Sequence, residues 1–284
     1  MFTTFIDPPA LLPHLDDPNW LVVDCRFKLE EVEAGRRAYL EAHIAGAIYA
    51  HLDHDLSGPK TGRNGRHPLP DSDSLRRALG AMGISESTQV IAYDDMNGGL
   101  AAARLWWLLR FMGHRSAAVL NGSWQSWVAA RNPVRSGEES RGAAQFIGHP
   151  HPAMIVDADS VSSLAASPDW AIIDSRAAAR YRGDEEPLDP IAGHIPGARN
   201  YDWQNNFDSG GRLLPADQLR QQMQKILGGA PPEQAVYYCG SGVTSAFNVL
   251  VMEAVGLPGA KLYPGSWSEW CSDPARPIAT GDKP

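Results

Sequence analysis

Short β-rich apolar runs alternate with helix-compatible stretches along the whole chain. In the first half, Val22-Val23, Val90-Ile91-Ala92 and Ala118-Val119-Leu120 predict strands, and Gly99 to Met112 predicts a helix ended by Gly113. In the second half, Ile172-Ile173, Val236-Tyr237-Tyr238 and Lys261-Leu262-Tyr263 predict strands. Ala235-Val236-Tyr237-Tyr238 runs straight into Cys239-Gly240-Ser241-Gly242-Val243-Thr244 and then into Ser245 to Glu253, the order strand, tight loop, helix. Such alternation predicts βα units around a mainly parallel sheet.

The pattern is also duplicated. Leu21-Val22-Val23-Asp24-Cys25-Arg26 returns as Ala171-Ile172-Ile173-Asp174-Ser175-Arg176, and His43-Ile44-Ala45-Gly46-Ala47 as His194-Ile195-Pro196-Gly197-Ala198. Val90-Ile91-Ala92-Tyr93-Asp94 returns as Ala235-Val236-Tyr237-Tyr238-Cys239, and Gly122-Ser123-Trp124-Gln125-Ser126-Trp127 as Gly265-Ser266-Trp267-Ser268-Glu269-Trp270. Four blocks in one order at nearly constant offset describe a duplicated domain. The expected division is a first copy over 1–135, a linker over 136–151 rich in polar residues, Gly and Pro, and a second copy over 152–284. The fold class is α/β, two tandem domains, each a mainly parallel sheet flanked by helices.

The copies differ where chemistry would occur. In an open α/β sheet, ligands bind at the carboxyl ends of strands. There the second copy carries Cys239 and the first carries Asp94-Asp95-Met96-Asn97-Gly98-Gly99. The glycines of the Cys239 loop allow it to curl so that N–H groups point inward, and the helix start adds partial positive charge. A thiol held there ionises readily and becomes nucleophilic. Aspartate cannot act as a sulfur nucleophile, so the first copy reads as inactive, covering one side of a cleft.

Composition narrows the function classes. The 284 residues are 43% hydrophobic and 20% charged, with 25 basic against 33 acidic side chains and a net charge of −8. No basic run stands out, which excludes nucleic-acid and anionic-membrane partners. An anionic substrate has to be attracted by a local site. The three cysteines, Cys25, Cys239 and Cys271, show neither C-x-x-C spacing nor a zinc pattern. With no basic n-region at the N-terminus and no long apolar run, the expected location is the cytoplasm. Nothing signals a metal, nucleotide or organic cofactor.

Together, Asp-x-Arg after a strand, His-Ile-x-Gly-Ala, the cysteine loop and Gly-Ser-Trp-x-x-Trp resemble the rhodanese family over most of the chain, in its tandem-domain sulfurtransferases. The resemblance implies an inactive first domain and an active second one. The loop from Cys239 to Thr244 is similar to that of mercaptopyruvate sulfurtransferases, whereas thiosulfate sulfurtransferases usually carry Arg-Lys after the cysteine. Thiosulfate is a small dianion that benefits from cations in the loop, while mercaptopyruvate carries its charge some bonds away from sulfur. The related cysteine phosphatases place an arginine six positions after the cysteine, where this chain has Ser245.

By resemblance, Cys239 takes the outer sulfur of a small-molecule donor as a persulfide and passes it to cyanide or to a thiol such as thioredoxin or a small thiol. Gly240, Gly242, Val243 and Thr244 line the substrate position. Ser241, His67 and Asp53 form a proton relay, with His51, His54 and Asp55 as nearby competitors. Arg180 binds the substrate carboxylate, against the plainer reading of a surface ion pair with Asp184, Glu185 or Glu186. The mercaptopyruvate group has a second arginine nine positions further on. This chain has Asp189 there, which leaves Arg182 as a substitute and thiosulfate as the alternative donor. A sulfur carrier or partner-binding module without turnover is the reading from another class. Asp24, Arg26, Asp174, Arg176 and the repeated tryptophans occur in both copies and read as structural, and Cys25 and Cys271 as bystanders.

Overall fold

The computed structural model describes residues 1–284 as two compact units. The first comprises Met1–Gly58 and Pro70–His151. The second comprises Pro152–Pro284 together with the excursion Pro59–Leu69.

In the first unit the strands are β1 (Phe5–Ile6), β2 (Trp20–Asp24), β3 (His43–Ile44), β4 (Ile48–Tyr49), β5 (Gln89–Tyr93), β6 (Ala117–Leu120) and β7 (Val134–Arg135). Five of them form a parallel sheet in the order β1-β6-β5-β2-β4. The other two, β3 and β7, pair antiparallel, with His43 opposite Arg135. In the second unit the strands are β8 (Ala171–Asp174), β9 (Arg199–Asn200), β10 (Ala235–Tyr238) and β11 (Lys261–Leu262). They form a parallel sheet in the order β11-β10-β8-β9. This is the order β6-β5-β2-β4 again, so the repeated sequence blocks occupy repeated places.

Strands β5, β6, β8 and β10 are buried along their whole length, which accounts for their unbroken apolar runs. Each unit packs its own apolar cluster. The first includes Leu11, Val22, Ile91, Leu120 and Trp127, and the second Val161, Ile172, Val236, Tyr263 and Trp267. Each such side chain contributes about 1.5–3 kcal/mol on burial. The predicted helix after β5 spans Ala101–Phe111, and the helix after the cysteine loop spans Ser245–Ala254.

The repeated polar residues form one structural device, used twice. The Nε and Nη2 edge of Arg26 grips Asp24 at 2.6–3.1 Å, and Nη2 also donates to the Ala42 carbonyl at 2.6 Å. Arg176 grips Asp174 in the same way and donates to the Gly193 carbonyl at 2.6 Å. Each guanidinium lies against the tryptophan of its own Gly-Ser-Trp block, 4.4 Å from Trp124 and 4.6 Å from Trp267. These buried charges are paired and hydrogen-bonded, as the low dielectric demands. The device ties the strand end to the segment before His43 or His194, and so shapes the carboxyl edge of each sheet.

Candidate active site

Strand β10 ends at Tyr238, and the chain turns through Cys239 to Thr244 before the helix at Ser245 begins. The second Gly-Ser-Trp block holds this turn. Ser266 Oγ accepts the Cys239 N–H at 3.1 Å and donates to the Tyr263 carbonyl at 2.9 Å. The N–H groups of Trp267 and Ser268 donate to the carbonyls of Cys239 and Gly240 at 3.0 and 2.9 Å. Gly242 has φ of 74°, and a Cβ there would lie 2.2 Å from the Pro264 carbonyl oxygen, so the turn requires glycine.

Cys239 is only 2% exposed, yet its sulfur is set among polar donors. Ser245 Oγ donates to Sγ at 3.4 Å. Burial opposes ionisation, but the hydroxyls of Ser245 and Thr244 and the N–H groups of Ser241 and Ser245 outweigh it and hold the thiol below its ordinary pKa. The other cysteines move the opposite way. Burial pushes Cys271 up to about 11. Burial and the charges of Asp24, Asp94 and Asp55 push Cys25 well above the ordinary value. Of the three thiols, Cys239 is therefore the one that ionises most readily. Iodoacetamide at pH 7 is expected to label Cys239 well ahead of Cys25 and Cys271, with a pH midpoint below that of an ordinary thiol. Peptide mapping checks the first statement and a pH–rate profile the second. Labelling of all three cysteines at similar rates contradicts both.

In the first unit the place of Cys239 is taken by Asp94. Its carboxylate accepts the N–H groups of Met96, Gly98, Leu100 and Ala102 at 2.8–3.2 Å. Its own N–H donates to Ser123 Oγ at 3.0 Å, as that of Cys239 does to Ser266. The duplicated loop is thus an anion cradle, and in the first copy a side chain of the loop fills it. Burial pushes Asp94 up to about 6 despite the four donors.

Among the residues expected from the sequence, Ser241 and His67 come together, with Oγ and Nδ1 2.7 Å apart and both side chains buried. Asp53 lies in the first unit, where its backbone N–H donates to His51 Nδ1 at 3.1 Å. Asp55 caps the same turn by accepting the His51 N–H at 2.7 Å. Glu33, His51 and His54 bring ligand-type atoms within 4.8 Å of one another. The hydrogen bond into His51 Nδ1 leaves that ring's proton on Nε2, 3.7 Å from Glu33, so the nitrogen facing the carboxylate is a donor and not a metal ligand.

Arg180 borders the loop, its Nη atoms 3.6 Å from where a Gly240 Cβ would stand. Its Nε and Nη2 edge is occupied by Glu186, at 3.1 and 2.6 Å. Arg182 turns to Asp184 at 2.7 Å and is engaged away from the loop. Three residues went unnoticed or undervalued in the sequence. Ser266 was signalled by its repetition as Ser123, and Ser245 by its place as the first helical residue after the loop. Arg66 is ion-paired with Asp189, 123 positions away, and no local pattern links them.

Sequence comparison decides the family. The rhodanese-like domain profile matches residues 7–130 and 157–273. The chain belongs to the rhodanese family. This tandem rhodanese is 45% identical over 274 residues to the probable 3-mercaptopyruvate sulfurtransferase of Pseudomonas aeruginosa, covering 96% of each chain. It is 34% identical over 261 residues to the putative thiosulfate sulfurtransferase SseB of Mycobacterium tuberculosis, covering 92% of this chain and 90% of that one. Its fold superposes on the 3-mercaptopyruvate sulfurtransferase from Leishmania major with a TM-score of 0.84 at 30% identity, covering 94% of this chain and 74% of that chain. The protein is a sulfurtransferase enzyme, which sets aside the carrier-only reading. No helix of this rhodanese is long and apolar enough to cross a membrane.

Proposed function

We propose that this rhodanese moves the sulfur of 3-mercaptopyruvate to a thiol or cyanide through a persulfide on Cys239. The reacting domain is 152–284, with 1–135 a non-reacting domain and 136–151 a linker. The observation that carries the reading is a thiol among hydroxyl and amide donors, in a loop without a cation of its own. The Cys239 thiolate attacks the donor sulfur, an S–S bond forms and the C–S bond breaks, and its electron pair leaves as the enolate of pyruvate. The enolate takes up a proton and departs as pyruvate. The N–H groups of the Gly240 to Thr244 loop stabilise the sulfur anion before and after transfer. An acceptor thiolate or cyanide then attacks the outer sulfur and regenerates the Cys239 thiolate.

The enolate proton requires a donor. The 2.7 Å approach of Ser241 Oγ to His67 Nδ1 supports a relay through this pair, with Asp53 as the group that orients His67. Arg180, beside Gly240, attracts the carboxylate. Three unpaired, buried cysteines fit a reducing compartment, the cytoplasm, where thioredoxin or small thiols serve as acceptors.

Thiosulfate is the second reading, favoured by the Arg66 and Arg180 guanidiniums beside Gly240. With cyanide as acceptor, kcat/KM for mercaptopyruvate is expected to exceed that for thiosulfate by about 10-fold or more. Equal or reversed values defeat the donor assignment. Ser241→Ala is expected to lower kcat with mercaptopyruvate about 10- to 100-fold and to spare thiosulfate, whose sulfite leaving group needs no carbon protonation.

A further inference from the structure

The active-site edge of the second unit carries an alternating chain of six charges. Asp174 pairs with Arg176 at 2.6 Å, Arg176 with Glu186 at 3.1 Å, and Glu186 with Arg180 at 2.6 Å. Arg180 then meets Asp189 at 3.4 Å, and Asp189 pairs with Arg66. All three carboxylates are almost wholly buried. Arg176 and Arg180 present their Nε and Nη2 edges to acids within the chain of charges. That edge is the one a guanidinium uses to hold a carboxylate with two parallel bonds.

Arg66, at the outer end, is engaged differently. It meets Asp189 through Nη1, and its backbone N–H is held by Ser268 Oγ at 3.0 Å. Its Nε is buried and carries no hydrogen bond. Its Nη2 stands 2.7 Å from the position of a Gly240 Cβ, one residue from the nucleophile. The guanidinium is thus anchored to Asp189 by Nη1 while Nη2 borders the reacting loop and Nε has no acceptor. A buried Nε–H without an acceptor is costly and rare, and calls for a reason. Glycine at 240 supplies the room, since any side chain there would strike Nη2.

We propose that Arg66 binds the anionic end of the sulfur donor directly, with Arg180 adding positive charge beside it, and that Asp189 is the positioning residue that holds Arg66 beside the loop. This rests on the donor reaction proposed above. The position nine residues after Arg180, acidic in this chain, does not remove a cation from the site, because it recruits one from the segment Pro59–Leu69. The ligand chemistry is an oxyanion two to four bonds from a sulfur, a carboxylate or the sulfonate-like end of thiosulfate.

The test uses alkylation of Cys239, which needs no sulfur donor. Iodoacetate and iodoacetamide are close isosteres that differ by one negative charge. In Arg66→Ala the ratio of iodoacetate to iodoacetamide rates is expected to fall about 10-fold while the iodoacetamide rate stays within about 2-fold of wild type. Arg66→Lys recovers most of the ratio. Asp189→Asn lowers it less than Arg66→Ala, since the charge remains but is no longer held. In turnover, Arg66→Ala raises the donor KM about 10- to 100-fold with little change in kcat. An unchanged ratio in Arg66→Ala overturns the proposal, and so does an equal fall in both alkylation rates, which marks a structural role. A fallen ratio with KM raised for thiosulfate but not for mercaptopyruvate supports the anion subsite and overturns the donor assignment instead.

Discussion

Cys239→Ser is expected to abolish sulfur transfer, with a loss of about 10⁴-fold or more in kcat. The hydroxyl is nearly isosteric with the thiol and keeps the loop's hydrogen bonds, but its pKa leaves almost no anion at neutral pH and oxygen does not form a stable bond to the transferred sulfur. Thermal unfolding is expected to stay within a few degrees of wild type, because no apolar contact is removed. Incubation with donor alone, followed by mass spectrometry, reads the same point directly. Wild type gains one sulfur atom, lost on adding cyanide, and the serine variant gains none. Substantial turnover in the variant, or sulfur found on Cys25 or Cys271, would remove Cys239 from the reaction.

Gly242→Ala is expected to cost about 10²-fold in kcat, the second largest effect. A β-carbon there meets the Pro264 carbonyl oxygen at 2.2 Å, and backbone cannot rotate away as a side chain can. The φ of 74° adds about 1–2 kcal/mol of strain for an L-residue. The loop has to shift, and donors aimed at the sulfur lose their effect over displacements of about 1 Å. The pH midpoint for alkylation of Cys239 is expected to rise in the variant. Gly137→Ala is the control, since φ there is 89° and no atom lies within 4 Å of the added carbon. It bears the strain without the collision and keeps its activity. Equal activities in the two variants would mean that the loop is softer than its packing indicates.

The first unit throws light on the second. Asp94 lies in the duplicate of the cysteine loop and receives four backbone N–H bonds. A cradle able to hold a carboxylate in the first copy is suited to hold a thiolate in the second. The two loops differ at all six positions, and with aspartate in the first place the loop's own side chain takes up donors that in the second copy surround a sulfur.

The duplication, the parallel α/β sheets and the place of Cys239 at a strand end were legible along the chain. They rest on short-range patterning and on blocks recurring at fixed offset. Residues with the same role in both copies, such as Arg26 and Arg176, announced themselves as structural for the same reason. The environment of the sulfur was not legible. Ser266 reaches the Cys239 N–H from 27 positions on, and Arg66 meets Asp189 across 123. Arg182 is close in number to Asp189 but is paired with Asp184, whereas the cation paired with Asp189 is Arg66. A residue's type and spacing determine which local structure it builds and what chemistry it could offer. Which charges neutralise one another, and which guanidinium stands beside the loop, depends on distances that only the folded chain sets, because a hydrogen bond is decided within a few tenths of an ångström whatever the separation in sequence.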